Sequence, residues 1–154
     1  MKKSLILAAI AFVAVAALSC CPCRKAPQKN HKPLLQTSWI LQQMDGRNLA
    51  GEMKSDQLPR LVLETDGNFG GFGGCNSMGG SYKMTPSEAR SQKDISGAMT
   101  FGGVFSTKRY CPDDRVEMEY FALLAKVDSY TIDADRLFLF VGGELKLVFK
   151  AAEC

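Results

Sequence analysis

Two short stretches, each with one cysteine, constrain the fold of this chain more than any other feature of its sequence. The first is Gly73-Gly74-Cys75-Asn76, and the second, Ser106 to Cys111, leads into a predicted helix. Their cysteines are 36 residues apart. In an exported protein the default state of such a pair is a structural disulfide. The compartment of the chain therefore decides how the two stretches are interpreted.

The N-terminus has the pattern of an exported lipoprotein. Lys2 and Lys3 precede an apolar run of 14 residues, which is shorter than the ~20 that a membrane-spanning helix needs. The run ends in Ala17-Leu18-Ser19-Cys20, which resembles a lipobox. We expect a signal peptide at residues 1–19 and lipidation of Cys20. Several acyl chains give stable attachment, so the mature protein is expected to be anchored to a lipid bilayer through Cys20.

Residues 20–33 are expected to form a flexible tether, because three prolines interrupt them and no acid opposes their cations. We interpret the tether as a solvated spacer, with contact to anionic headgroups as the alternative. The whole chain has a net charge of +3, but residues 34–154 hold 13 basic against 16 acidic residues, a net charge of −3. Nucleic acid is therefore not an expected partner. The tether cations are Arg24, Lys25, Lys29 and Lys32.

Residues 34–154 have the size of one domain. Their apolar positions recur in short runs bounded by Gly, Asp or Pro, which predicts antiparallel strands with tight turns at Asp66-Gly67 and Gly142-Gly143. The apolar run Leu137 to Val141 predicts a central strand covered on both faces. One helix is predicted from about Arg115 to Asp128, with Asp114 and Glu117 as a capping-box-like start. Its apolar face comprises Val116, Tyr120, Leu123, Leu124 and Val127.

Several of these residues together resemble the META domain, the family that includes the HslJ-like lipoproteins. The resemblance covers roughly residues 35–150. It implies an α+β fold: a single compact domain in which an antiparallel, partly barrel-like β-sheet packs against one α-helix at about 115–128. It implies no established enzymatic activity, and associates the chain with bacterial envelope proteins, stress and antibiotic tolerance. The residues that carry it are Trp39, Gly74-Cys75-Asn76, Gly80-Ser81-Tyr82, Thr107 and Cys111.

The chain has six cysteines. With Cys20 acylated and Cys75 paired with Cys111, the remaining three are Cys21, Cys23 and Cys154. Several states are open to them. Cys21 and Cys23 can stay free or form mixed disulfides, and Cys154 can pair with one of them or with a second chain. The Cys75–Cys111 pair is our hypothesis for what holds the glycine-rich segment to the start of the helix.

Metal and catalytic sites are not expected, and neither is a cofactor. The only histidine, His31, falls in the tether, and no Cys-x-x-Cys pair is present. A Ser-His-Asp triad would need that histidine in the domain core. The glycines between Gly70 and Gly74 lack the Gly-Lys-Ser/Thr of a phosphate loop. Asn76 is interpreted as bonding loop backbone or adopting a left-handed conformation, in preference to ligand contact.

Two classes of function are left. The leading one is a non-enzymatic envelope lipoprotein, monomeric in its domain, on the periplasmic side of the outer membrane, that binds an envelope protein. Its candidate contact surface comprises Phe69, Phe72, Asn76, Phe101 and Phe105. The alternative for these aromatics is that at least two fill the core. The second class is a thiol-redox or exchange protein using Cys75 and Cys111, because Cys111 lies beside Arg109 and just before a helix N-terminus.

Overall fold

The structure, a computed structural model, describes residues 31–86 and 95–153. The expected signal peptide, the lipidation site Cys20 and most of the tether lie outside these residues. Cys21, Cys23 and Cys154 also lie outside them. What the sequence predicts for these positions therefore stays a prediction.

The described residues form nine strands and two helices. The strands are β1 (Trp39–Met44), β2 (Arg47–Asn48), β3 (Arg60–Leu63), β4 (Asn68–Phe72), β5 (Ser77–Pro86), β6 (Ile95–Ser106), β7 (Ser129–Asp133), β8 (Arg136–Val141) and β9 (Glu144–Ala151). The helices are α1 (Leu49–Glu52) and α2 (Arg115–Leu124).

The strands close into an antiparallel barrel. Strands β3 to β9 each pair with their neighbours along the chain, and β1 pairs with both β3 and β9. Trp39 lies opposite Leu61 on one side and Ala151 on the other. Eight strands therefore have partners on both sides, and the two-residue β2 pairs with β1 alone. The expected sheet was only partly barrel-like. The difference is the β1–β9 pairing, which joins the two ends of the domain.

The barrel interior is the hydrophobic core. Trp39, Leu41 and Met44 of β1 are fully buried. Strand β8 alternates: Leu137 and Leu139 are fully buried, whereas its other apolar residues are half-buried. The prediction that this strand is covered on both faces was therefore wrong, because a closed barrel has a single interior and β8 turns its other face outward.

Helix α2 packs against one end of the barrel. Tyr120 and Leu124 are fully buried, and the Tyr120 ring lies 6.2 Å from the ring of Phe149 in β9. The helix ends earlier than the predicted Asp128. After Leu124 the chain forms a tighter turn, in which the Val127 N–H donates to the Leu124 carbonyl at 3.3 Å. The Asp128 N–H then bonds the Phe140 carbonyl at 3.0 Å, which leads the chain into β7.

The antiparallel course places alternate connections at opposite ends of the barrel. The β4–β5 loop, the exit of β6 and the β8–β9 turn share one end, here called the disulfide end. The described chain begins and finishes at the other end, here called the terminal end. There the Lys32 N–H donates to the Ala134 carbonyl and the Ala152 N–H to the Ser38 carbonyl, both at 2.8 Å.

His31 belongs to the terminal end, although the sequence places it in a free tether. Its Nδ1 accepts a hydrogen bond of 3.1 Å from the Ala134 N–H, in the turn between β7 and β8. His31 and Lys32 are therefore held on the barrel, and the tether that the sequence predicts up to Pro33 is ordered in its last residues. Contact with a turn more than 100 residues later in the chain is invisible to local sequence patterns.

Glycine at position 71 is required by close packing between strands. A Cβ atom there would fall on the carbonyl oxygen of Arg60, and would lie 2.9 Å from the Met78 Cε. Gly70, its neighbour in β4, has nothing within 4 Å of its Cβ position. Neither residue is among those with positive φ, so the difference between them is a matter of space.

We predict that Gly71→Ala destabilises the domain by about 1–3 kcal/mol, because the backbone of β3 must move to admit the methyl group. Gly70→Ala is the matched control in the same strand, and its free energy of unfolding is expected to change by less than about 1 kcal/mol. Urea denaturation of both variants measures the difference. Equal stabilities of the two variants would contradict the packing described here.

Candidate functional site

The disulfide end contains the predicted Cys75–Cys111 disulfide. The two Cα atoms are 6.3 Å apart, and the bond joins the β4–β5 loop to the segment that leads into α2. Closing a 36-residue loop restricts the unfolded chain, and the chain-entropy model assigns about 4 kcal/mol to a loop of this length. The bond therefore holds two segments together that share no strand pairing.

Glu117 is the residue of this site that the sequence analysis assigned to the wrong role. Its side chain is buried, and its Oε2 accepts hydrogen bonds from the backbone N–H groups of Cys75 at 3.1 Å and Asn76 at 2.6 Å. Its Oε1 accepts a third from Asn76 Nδ2 at 2.7 Å. Hydrogen bonds to a carboxylate are stronger than those between neutral groups. One helical side chain thus binds two consecutive residues of the β4–β5 loop.

The expected capping box is therefore absent. Asp114 occupies the N-cap position of α2 but makes no side-chain capping bond, and Glu117 points to the loop. Asp113 bonds the first helical residue instead: its Oδ1 accepts from the Arg115 N–H at 3.2 Å. The Arg115 side chain also donates to Asp113, and these hydrogen bonds lower the pKa of the Asp113 carboxyl to about 2. Asp113 and Arg115 thus neutralise each other at the surface.

Asn76 connects the two cysteine-containing segments. It is 5% exposed, and its Oδ1 accepts hydrogen bonds from Thr107 Oγ1 at 2.9 Å and from the Arg109 N–H at 2.8 Å. The prediction that Asn76 bonds loop backbone is confirmed. It is not among the residues with positive φ, so the left-handed alternative was wrong. Because the side chain is buried and fully bonded within the protein, Asn76 does not belong to a contact surface.

Two phenylalanines of the expected contact surface are in the core. Phe69 and Phe101 are 3% and 8% exposed, and their rings pack edge to face with centroids 5.2 Å apart. The alternative that at least two of these aromatics fill the core is therefore confirmed, and Phe69 and Phe101 do not belong to the contact surface. A Cβ atom on Gly80 would lie 2.6 Å from the Phe69 ring. The nearby glycine therefore makes room for a buried ring.

The other two phenylalanines face outward. Phe72 is half-buried at the end of β4, opposite Arg60. Phe105 is 68% exposed, and its ring lies over Gly79 of β5, where a Cβ atom would approach its Cζ to 2.7 Å. Phe72 and Phe105 are therefore the members of the predicted surface that a partner can reach.

An exposed segment next to Phe105 was missed by the contact-surface prediction. Tyr110 is 92% exposed, and Lys108 and Arg109 are exposed beside it. We call Phe105, Lys108, Arg109 and Tyr110 the 105–110 rim. The available signal was a tyrosine between charged residues and a cysteine, in a segment without strand alternation.

Elsewhere the described structure has shallow grooves but no cluster of metal ligands. No three His, Cys, Asp or Glu side chains come together as a metal site would require within residues 31–86 and 95–153. A groove of about 570 Å³ lies against the outer side of β6, β7 and β8, lined in part by Ser96, Thr131 and Phe140. A second groove, of about 380 Å³, lies beside Ile40 and Lys150. No helix in this part of the chain has the length and apolarity needed to cross a bilayer.

Comparison with known proteins gives two findings. The model of the META domain family matches residues 32–153. A solved structure, described as the NMR structure of the protein from Burkholderia xenovorans, is 23% identical, with a TM-score of 0.56 over 89% of this chain and 100% of that chain. At this identity the similarity shows a shared fold. No curated protein matches the sequence significantly.

We predict that Glu117→Gln destabilises the domain by about 2–3 kcal/mol. The amide group replaces one acceptor oxygen with a donor and leaves at least one buried N–H of the loop without a partner. Glu119→Gln is the control, because Glu119 is more exposed and forms an ion pair with Arg47 at 3.6 Å. It should change the unfolding free energy by less than about 1 kcal/mol. Urea denaturation measures the free energy of unfolding of each variant. Similar losses of stability in both variants would refute the role assigned to Glu117.

Proposed function

The chain belongs to the META domain family, and from this premise we propose that it is a non-enzymatic lipoprotein of the bacterial envelope whose domain binds a partner protein. In this proposal Cys20 carries the lipid anchor, and the domain lies on the periplasmic side of the outer membrane. The tether has no acidic run of the kind that directs some lipoproteins to the cell exterior. By binding this partner the domain helps to maintain the envelope under stress.

One observation carries the binding role: the polar groups of the family motif form hydrogen bonds within the protein, and its cysteines form a disulfide. Asn76 bonds Glu117, Thr107 and Arg109, and Cys75 is bonded to Cys111. Groups that are fully hydrogen-bonded inside a protein hold a shape and do not need a ligand to satisfy them. What the motif holds in place is the segment that carries the 105–110 rim. The arrangement therefore favours recognition over catalysis.

The position of the first described residue supports anchoring from the terminal end. His31 is bound at that end, and a fully extended chain reaches at most about 40 Å over the eleven residues back to Cys20. A domain attached at its terminal end can present the disulfide end away from the anchoring bilayer. The proposed partner surface is then accessible from the periplasm.

Thiol exchange is the second candidate, and the partial exposure of Cys111 near the start of α2 favours it. A nucleophilic cysteine must form a thiolate. The buried Glu117 carboxylate accepts a hydrogen bond from the Cys75 N–H, and negative charge close to a cysteine disfavours its thiolate. These contacts support a structural bond more strongly than an exchanging one.

Lipidation is tested in cells that express the full chain and are supplied with radiolabelled palmitate. We predict that the wild-type chain is labelled and loses residues 1–19, whereas Cys20→Ala is unlabelled and keeps them, as measured by intact mass. Cys21→Ala is the matched control, because the neighbouring thiol is the competing lipid site, and it should behave as wild type. A labelled Cys20→Ala chain would refute the anchor.

Partner binding is tested by photocrosslinking in intact cells. We expect a photoreactive residue at Phe105 to give a discrete crosslinked species that contains a second protein. The same group at Met84, 37% exposed in the half of β5 nearest the terminal end, should not give that species. Crosslinks that are identical from both positions, or absent from Phe105, would count against the proposed surface.

A further inference from the structure

The backbone of the 105–110 rim is held rigidly while its side chains are exposed. The Thr107 N–H donates to the Ser77 carbonyl at 3.0 Å, the Arg109 N–H donates to Asn76 Oδ1 at 2.8 Å, and Cys111 is bonded to Cys75. A segment that is already ordered loses little conformational entropy when it binds. The rim is therefore prepared for contact without rearrangement.

Charge and side-chain type distinguish the rim. Lys108 and Arg109 are adjacent, and neither forms an ion pair with any residue that the structure describes. By contrast, the nearby Arg115 is paired with Asp113 at 2.8 Å. The two unpaired cations lie between exposed aromatic residues. Tyrosine and arginine are enriched at the energetic centres of protein interfaces.

From this arrangement we infer that the 105–110 rim binds an acidic segment of the partner protein. Carboxylates of that segment pair with Lys108 and Arg109, and its apolar side chains cover Phe105 and Tyr110. The charges of Lys108 and Arg109 are complementary to those of an acidic segment, although residues 34–154 together carry a net charge of −3. The inference rests on the proposed binding function and specifies the chemistry of the partner.

The partner is recognised through side chains and not by strand addition. Strand β6 pairs with β7 only from Ile95 to Ala98, so the rest of that edge has no neighbouring strand among the described residues. A bulge interrupts this edge: Gly103 has a φ of 59°, and the register with β5 shifts between Gly79 and Ser81. Bulges of this kind twist an edge and prevent continuous pairing with another strand.

A bilayer is the other anionic surface that such a rim could meet. The geometry favours protein, because His31, the first described residue, lies at the terminal end and the rim lies at the opposite end of the barrel. A rim that served to dock on the anchoring membrane would be expected at the end from which the tether leaves. Vesicle binding is accordingly an outcome that overturns the inference.

The test uses the mature chain, residues 20–154, with Cys20→Ala so that no acyl chain contributes. The probe is a fluorescein-labelled peptide of alternating glutamate and leucine with glycine spacers, and its match has glutamine at every glutamate position. We expect the glutamate peptide to bind at least about tenfold more tightly by fluorescence anisotropy. The double variant Lys108→Glu, Arg109→Glu should abolish this preference, and Tyr110→Ser should weaken binding of the glutamate peptide about tenfold.

The control is the double variant Lys83→Glu, Arg136→Glu, which makes the same charge change at exposed positions nearer the terminal end. It should keep the peptide preference, and unchanged melting temperatures show that all variants fold. Equal affinity for the two peptides overturns the inference. A second result also overturns it: the protein cosediments with phosphatidylglycerol vesicles but not with phosphatidylcholine vesicles, and the rim variants abolish this binding. If either result occurs while the Phe105 crosslink persists, the proposed partner binding is retained and the proposal that the partner segment is acidic is rejected.

Discussion

The carboxylate of Glu117 is buried where α2 meets the β4–β5 loop, and three N–H groups of Cys75 and Asn76 converge on it. A loop that leaves a barrel has backbone groups without strand partners, and these need an acceptor when they are buried. Glu117 supplies that acceptor from the helix. A Cβ atom at Gly73 would lie 2.6 Å from its Oε2, so the glycine, the carboxylate and the disulfide form one closely packed unit at the disulfide end.

The rest of the site depends on that unit. Glu117 orients the Asn76 side chain through its Nδ2. The Asn76 Oδ1 then accepts hydrogen bonds from Thr107 Oγ1 and from the Arg109 N–H. The disulfide adds a covalent link between the same two segments. Phe105 is positioned by the pairing of β6 with β5, and these contacts determine where Lys108, Arg109 and Tyr110 lie beyond the end of that strand. The cysteine-containing motif could be taken for a reactive site, but its contacts instead support the exposed segment next to it.

The two ends of the barrel differ in a way that suits an anchored binding protein. The terminal end holds His31 and Lys32 against the β7–β8 turn, and the disulfide end presents exposed aromatic and basic side chains. An antiparallel barrel with this strand order separates its termini from half of its connections. The proposed function uses this separation, with attachment at one end and recognition at the other.

Local patterns in the sequence determined the short strands, the turns at Asp66-Gly67 and Gly142-Gly143, the start of α2 and the pairing of Cys75 with Cys111. Each depends on residue type, on spacing along the chain or on compartment. Only the tertiary structure decided that β1 meets β9, that Phe69 and Phe101 point inward while Phe105 points outward, and that Glu117 binds a loop 41 residues earlier and does not cap its own helix. The physical reason is that these outcomes depend on strand register and barrel closure, which bring distant residues together and leave no periodic signal in the sequence.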